Sequence, residues 1–143
     1  MNYKQGYFTP AHPEKYKGQK NNIIYRSSWE KRFFVFLDSN PSVISWSSEE
    51  IVINYICGTD KKIHRYFPDV LAEIMDKNGV IRKYLIEIKP RKETIPPRKN
   101  SKNYLNESLT FIKNSSKWNY AREYCKSRNM IFMILTEKDL GIV

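Results

Sequence analysis

Two strand-like segments joined by a short turn lie near the middle of this 143-residue chain, and they restrict its fold more than any other part of it. Residues 69–75 and 80–89 are rich in the β-branched and aliphatic side chains that strands favour. Between them, Asp76-Lys77-Asn78-Gly79 has the composition of a tight turn. The sequence therefore predicts an antiparallel hairpin whose second strand is the longest in the chain.

The length of the hairpin loop decides which side chains share a face of the sheet. If the loop has three residues, with Gly79 in the left-handed conformation of a bulge, Asp76 pairs with Val80 and Asp69 lies opposite Glu87. A shorter or longer loop shifts the pairing by one residue and sends the two carboxylates to opposite faces. The turn therefore determines whether these carboxylates can form one site.

Helices and strands on either side of the hairpin follow from hydrophobic periodicity. The first helix should stop at Asn40-Pro41, because proline cannot continue a helix. The second helical region is either one helix or two helices broken near residues 114–116. Helices are predicted at residues 27–40 and 105–124, and further strands at residues 43–46, 51–56, 63–67 and 130–135.

This order of elements predicts the fold class. A helix, a meander of strands, a second helix and a last strand indicate an α/β (α+β) fold, in which one helix lies on each side of a mixed central β-sheet. Residues 1–22 combine Pro and Gly with polar side chains and lack periodicity, so they are predicted to form an extended N-terminal arm. Residues 23–143 are predicted to form a single domain, consistent with a length that supports one hydrophobic core.

Net charge, cysteine content and hydropathy indicate which partners and which cellular compartment suit this chain. Lys and Arg number 25 and Asp and Glu 15, a net charge of +10 that favours a polyanion such as DNA, although basic residues also serve solubility alone. Cys57 and Cys125 lack the spacing of a zinc site or a disulfide framework, which favours a reducing, intracellular compartment. No run approaches the roughly eighteen apolar residues of a membrane span, so no membrane partner is expected.

Asp69, Glu87 and Lys89 carry the chemistry predicted for this chain. Strand alternation places Glu87 and Lys89 side by side on one face, and the three-residue loop adds Asp69 to that face. Paired carboxylates repel each other unless a cation or proton lies between them, and oxygen ligands suit Mg²⁺, with Mn²⁺ as a plausible substitute. The pattern predicts metal-assisted hydrolysis of a phosphodiester, in which Lys89 positions the attacking water and offsets the developing charge.

The remaining candidate site residues each have a simpler structural explanation besides a functional one. Glu30 stands three residues after Ser27, which is the spacing of a helix capping box, and a water-bridged metal contact is compatible with that role. His64 is a weak candidate for proton transfer, because a single histidine on a strand is usually an ordinary surface residue. A proline-containing loop follows the hairpin and is predicted either to grip DNA phosphates or to be a solvated charge run. Its basic residues are Arg91, Lys92, Arg98 and Lys99.

Six segments of the sequence together resemble the head-completion nucleases of T-even-type tailed phages, and the resemblance covers nearly the whole chain. These are residues 25–30 (YRSSWE), 46–50 (WSSEE), 55–57 (YIC), 64–69 (HRYFPD), 87–90 (EIKP) and 136–140 (TEKDL). The order Glu, Pro-Asp, Glu-x-Lys is more distantly similar to the endonuclease subunit of Tn7-type transposition. It is also similar to the wider PD-(D/E)XK, or restriction-endonuclease-like, superfamily.

The resemblance implies that Glu30, Asp69, Glu87 and Lys89 form a PD-(D/E)XK catalytic set. It further implies that Mg²⁺ is held by Asp69, Glu87 and the backbone carbonyl of Ile88, with Glu30 acting through a water. A DNA endonuclease or exonuclease that trims the packaged double-stranded phage genome before head-tail joining is then expected. Such a protein would contact head or neck proteins in the host cytoplasm, and association with the virion is compatible with this role. The alternatives are a non-catalytic DNA-binding structural protein of the head or neck and a restriction- or transposition-type endonuclease.

Overall fold

The computed structural model describes residues 4–142, and its central element is a four-stranded sheet. The strands are β1 (Gly6–Tyr7), β2 (Ile24–Tyr25), β3 (Val43–Ser48), β4 (Ile53–Ile56), β5 (Ile63–Tyr66), β6 (Val70–Met75), β7 (Ile81–Ile88) and β8 (Ile131–Leu135). The α-helices are α1 (Ser28–Ser39) and α2 (Tyr104–Lys126). Single turns of 3₁₀ helix lie at Pro13–Lys15 and Arg91–Glu93.

The central sheet is mixed, as predicted. Its strand order is β3-β6-β7-β8, and β8 runs parallel to β7 whereas the other neighbours are antiparallel. A parallel neighbour requires a crossover between the two strands, and α2 provides it. The predicted α/β (α+β) class with a restriction-endonuclease-like core is therefore confirmed.

One helix covers each face of the sheet, which was also predicted. Phe34 and Leu37 of α1 belong to a core cluster with Ile86, whereas Trp118 of α2 belongs to a second cluster with Leu85. Leu85 and Ile86 are consecutive residues of β7, so their side chains point to opposite faces of the sheet. Burial on both faces explains why the second half of β7 reads as a nearly continuous apolar run.

The predicted meander is wrong for two of its strands. β4 and β5 do not join the central sheet but pair with each other as a separate hairpin, from Ile53 opposite Tyr66 to Ile56 opposite Ile63. This β4–β5 hairpin buries Tyr55 and Tyr66 against α2. A short alternating strand shows which side is buried but not which partner buries it, so the sequence alone could not separate the two sheets.

The two helices end as their sequences require. The backbone N–H of Asn40 donates to the carbonyl of Phe36 and closes α1 one residue before Pro41, as predicted. Of the alternatives for the second helical region, the structure shows a single continuous helix, α2, with Asn114 buried inside it.

None of the helices within residues 4–142 is long and apolar enough to cross a membrane.

The described part of the N-terminal segment, residues 4–22, packs on α1 and β3. Its Tyr16 is buried and meets Trp46 edge to face, with ring centroids 4.7 Å apart. The backbone N–H groups of Ala11 and His12 donate to the carboxylate of Asp38 at 2.8 and 2.9 Å. The division into an arm at residues 1–22 and a domain at residues 23–143 stays a prediction, and residues 1–3 and 143 lie outside the described residues.

Candidate active site

The hairpin of β6 and β7 has the three-residue loop on which the site depends. The N–H of Asp76 donates to the carbonyl of Val80 at 2.9 Å, and Gly79 has the left-handed φ of 80° that the bulge requires. Val70 is the Cα partner of Ile86 in the ladder. Continuing this register by one residue places Asp69 opposite Glu87, which is the arrangement predicted from the turn.

Asp69 lies just before β6, at the end where β7 finishes. Its Oδ2 accepts a hydrogen bond from the backbone N–H of Ile88 at 2.7 Å, which fixes the carboxylate beside the strand. Burial, together with the negative charges of Glu87 and Glu30, raises the pKa of Asp69 well above its usual value. Glu87 and Glu30 are therefore close enough to Asp69 to oppose its ionisation.

Glu87 is almost fully buried, with 4% of its surface exposed. Its Oε2 accepts a hydrogen bond of 3.3 Å from the indole N–H of Trp118, so α2 holds this side chain in place. The hydroxyl of Tyr66 is buried nearby and has no hydrogen-bond partner in the described part of the chain. Its burial and the charges of Glu87 and Asp69 raise the pKa of Tyr66.

Glu30 is held at the start of α1 by the predicted capping arrangement. The hydroxyl of Ser27 accepts the N–H of Glu30 at 3.2 Å and donates to its Oε2 at 3.4 Å. The other carboxylate oxygen, Oε1, is buried and lacks a hydrogen-bond partner among residues 4–142. Burial is the largest cause that raises the pKa of Glu30 to about 6. One oxygen thus serves the cap while the second is free for a ligand.

Glu49 joins this group, although sequence reasoning did not single it out. Oxygens of Glu30, Glu49 and Asp69 lie within 4.8 Å of one another. The guanidinium of Arg26 forms two hydrogen bonds to Glu49, at 2.8 and 3.0 Å, and partly neutralises it. The available signal was the position of Glu49 directly after β3, because Ser48 pairs with Val70 and the next residue must lie beside Asp69.

Lys117 is a second residue near the site that sequence reasoning missed. It lies on α2, and its ammonium is 5.5 Å from the centre of the Tyr66 ring. Burial lowers the pKa of Lys117, and the charges of Glu87 and Lys89 also act on it. Lysine within the apolar face of a helix, immediately before Trp118, was the signal that could have found it.

The other predicted site residues have separate surroundings. Lys89 follows β7, and its backbone N–H donates to the carbonyl of Leu135 at 3.0 Å. His64 lies in β5, where its Nε2 is 2.7 Å from Oδ2 of Asp60, so it has a partner of its own. The four basic residues Arg91, Lys92, Arg98 and Lys99 are exposed in the loop that follows β7. Their catalytic and DNA-binding roles stay predictions.

The donor set fits a hard cation. Oxygens of Glu30, Glu49 and Asp69 lie within 4.8 Å of one another, and the pKa values of Glu30 and Asp69 are raised, chiefly by burial. Glu87 is not part of this close group, but its charge contributes to the raised pKa of Asp69. Glu30 Oε1 and Tyr66 OH are buried without a hydrogen-bond partner among residues 4–142, and a cation or its bound water would satisfy them. Oxygen donors of this kind suit Mg²⁺ or Mn²⁺.

We expect the metal-free protein to lose stability as the pH rises through the mildly acidic range. Glu30 keeps its proton up to a pKa of about 6 in the folded chain, against 4.5 for an ordinary glutamate. Because the folded state binds more protons over that interval, its free energy of unfolding decreases with pH, by about 2 kcal/mol for this group. The raised pKa of Asp69 adds to the loss.

Thermal unfolding in the presence of a chelator, at about pH 4.5 and about pH 7, measures this dependence. Glu30→Gln should flatten it, because the substitution removes the proton that the folded state retains. A melting temperature that changes with pH identically in the wild type and in Glu30→Gln would contradict the assignment.

Two comparisons with known proteins show what this chain is similar to. A family model described as "TnsA-like endonuclease N terminal" matches residues 40–137, which include Asp69, Glu87 and Lys89. The chain is also 42% identical, over 142 residues, to the "Head completion nuclease" of Enterobacteria phage T4. That alignment covers 94% of this chain and 92% of the relative.

Proposed function

Because the chain belongs to the family of TnsA-like endonucleases, we propose that it is a Mg²⁺-dependent deoxyribonuclease that hydrolyses phosphodiester bonds in double-stranded DNA. The observation that carries the proposal is the register of β6 and β7, which brings Asp69 opposite Glu87 with Lys89 two residues further on. A buried glutamate, a half-buried aspartate and a lysine at the end of one strand pair are better suited to chemistry than to packing.

The proposed mechanism divides the work among these side chains. Asp69 and Glu87, with the backbone carbonyl of Ile88, would hold the cation, and Glu30 would act on it through a water. When bound, Mg²⁺ supplies Lewis-acid polarisation of the scissile phosphate. Lys89 orients the attacking water and offsets negative charge on the phosphate as the transition state forms. Trp118 keeps Glu87 aimed into the site through its indole N–H.

We also place this activity in phage head completion. Support comes from the relative named head completion nuclease, with which the alignment is nearly end to end. The substrate is then the packaged phage genome, and the chain acts in the host cytoplasm, trims or cuts DNA before head-tail joining, and contacts head or neck proteins. Its net charge of +10 matches a polyanionic substrate.

Incubation of the purified chain with supercoiled plasmid tests the proposed activity. Mg²⁺ should convert the plasmid to nicked or linear forms, Mn²⁺ should substitute, and a chelator should stop the reaction. Linear DNA with blocked and with free ends, run in parallel, separates endonuclease from exonuclease action. If DNA is bound but stays intact with both metals, the chain is instead a DNA-binding structural protein.

The Glu30→Gln variant tests whether Glu30 acts on turnover beyond its capping role. Glutamine preserves the helix cap but removes the charge that attracts a cation, so the rate should fall about 10²-fold at an unchanged or higher melting temperature. Glu107→Gln is the matched control, because Glu107 lies in the first turn of α2 and accepts a hydrogen bond from Ser101. If Glu30→Gln and Glu107→Gln cleave DNA equally fast, Glu30 serves only as part of the helix cap.

Removal of the four loop cations should reduce the salt dependence of DNA binding. Each phosphate contact contributes a slope of about 0.9 to the logarithmic plot of affinity against salt, so the quadruple alanine variant should lose a slope of up to about 3.6. The loop residues are Arg91, Lys92, Arg98 and Lys99.

The matched control removes an equal charge from four exposed lysines elsewhere. Its residues are Lys4, Lys20, Lys77 and Lys126. Fluorescence anisotropy over a series of salt concentrations measures the DNA affinity of both quadruple variants and so gives their slopes. Equal losses of slope in the two quadruple variants would show that net charge acts, and that this loop has no special role.

A further inference from the structure

The β4–β5 hairpin carries a second group of metal-ligating side chains, which the proposed nuclease mechanism does not use. One ligand atom each from Cys57, Asp60 and His64 lies within 4.8 Å of the other two. The thiol follows β4, the carboxylate lies in the turn and the imidazole lies in β5. These three residues form the hairpin cluster.

The backbone holds the hairpin cluster together. The N–H of Cys57 donates to the carbonyl of Lys62 at 3.0 Å, and the N–H of Lys61 donates back to the carbonyl of Cys57 at 2.8 Å. Lys61 has a φ of 59°, a left-handed conformation that costs free energy for a residue with a side chain. This turn folds Asp60 back toward the strands, so three donors from a stretch of eight residues meet at one point.

The turn is also fixed against α2. The N–H of Gly58 donates to the hydroxyl of Ser116 at 3.1 Å, and a Cβ at Gly58 would lie 2.9 Å from Cγ2 of Ile112. Glycine therefore permits a close approach of the loop to the helix. This hydrogen bond and the close packing hold the turn against α2. The metal-ligating atoms of the hairpin cluster are therefore already arranged before an ion binds.

A surface ion pair explains only part of the hairpin cluster. His64 Nε2 lies 2.7 Å from Asp60 Oδ2, which satisfies those two side chains. It does not explain why the sulfur of Cys57, a residue with 2% of its surface exposed, lies within 4.8 Å of a ligand atom of each of the other two. The thiol also lies 3.0 Å from the hydroxyl of Thr59, so it has a hydrogen-bond partner within the turn.

We propose that Cys57, Asp60 and His64 bind one transition-metal ion of the zinc class, separate from the Mg²⁺ site. Sulfur and imidazole nitrogen favour Zn²⁺ or Co²⁺ over Mg²⁺, whereas the carboxylate cluster around Asp69 consists of oxygen donors. Three protein ligands leave the fourth tetrahedral position to water or to a donor from outside the chain. His64 and Asp60 are partly exposed and provide the path of entry.

A bound ion would lock the β4–β5 hairpin. The cluster joins the end of β4 to β5 directly beside the contact with Ser116, so the ion would resist separation of the two strands and of the hairpin from α2. Since Tyr66 of β5 lies beside Glu87, this lock also fixes one wall of the carboxylate site. The ion thus stabilises the folded chain and takes no part in cleavage.

Titration of the purified full-length chain with Co²⁺ tests the proposal directly, because a cobalt-bound thiolate gives a strong charge-transfer absorption in the near ultraviolet. The band should saturate at one cobalt per chain and disappear in Cys57→Ser and in His64→Ala. Zn²⁺ should displace the cobalt and raise the melting temperature of the wild type but not of His64→Ala. Oxygen ligands cannot produce this band, so cobalt in the nuclease site does not interfere.

The chain offers matched controls for the cysteine and the histidine ligand. Cys125 is its other cysteine and His12 its other histidine, so Cys125→Ser and His12→Ala should both keep the band. Asp69→Asn should also keep it, which separates this site from the nuclease site. Absence of the band in the wild type, its persistence in Cys57→Ser, or its loss in Cys125→Ser would each overturn the proposal. If Cys57→Ser does not fold, His64→Ala, altered at a partly exposed position, decides alone.

Discussion

Asp69→Asn and Glu87→Gln should each reduce Mg²⁺-dependent cleavage of plasmid DNA by about a thousandfold or more. Either change removes a charge that holds the cation, while the amide occupies the same volume. The metal-free variants should be at least as stable as the wild type, because each relieves repulsion between neighbouring carboxylates that now raises the pKa of Asp69. Loss of activity without loss of stability is the combination expected of site residues.

The control for this pair is Glu73→Gln. Glu73 is a carboxylate of β6, opposite Lys83 in the same hairpin, and the substitution should leave the rate of cleavage unchanged. Nicking is followed on agarose gels, and stability by thermal unfolding with a chelator present. Wild-type cleavage by either site variant would remove the central claim. A fall in activity that only parallels a fall in melting temperature would show that the two carboxylates serve the fold.

The pairing of Asp69 with Glu87 could be predicted because a turn fixes it. Gly79 favours the left-handed conformation of a three-residue loop, and the alternation of side chains then determines every later pair in the hairpin. The first helix was equally predictable, because Ser27 caps its start and Pro41 stops its end. Turns and helix ends are determined by interactions among residues that are close in sequence, so a single sequence is sufficient to predict them.

The contributions of Glu49 and Lys117 could not be predicted in the same way. Glu49 lies beside Asp69 because β3 pairs with β6 across a long connection, and Lys117 reaches the site because α2 packs on β7. Helical periodicity puts Lys117 on the apolar face of α2, but no pattern in the sequence shows that either side chain meets the site. The hairpin cluster also could not be predicted, because it depends on the left-handed conformation of Lys61. Lysine rarely adopts that conformation, so the residue type does not indicate it.

Lys89→Ala should reduce the cleavage rate by about 10²- to 10³-fold and leave metal affinity nearly unchanged. The proposed role of Lys89 lies in the transition state, so its removal should act on the chemical step and not on the binding of cation or DNA. Single-turnover cleavage measures the rate, and Mn²⁺ titration measures the affinity. Lys83→Ala is the control, since Lys83 is an exposed lysine of β7, the strand that Lys89 follows.

The nearby ammonium of Lys117 makes this prediction sharper. If Lys89 alone offsets charge on the phosphate, Lys117→Ala should slow cleavage little, and the double variant should be as slow as Lys89→Ala. If the two lysines share the task, the double variant should be slower than either one, and a double-mutant cycle gives the coupling between them. Weaker Mn²⁺ binding in Lys89→Ala would contradict both versions. Removal of the positive charge of Lys89, two residues after Glu87, should not weaken the attraction of the site carboxylates for a cation.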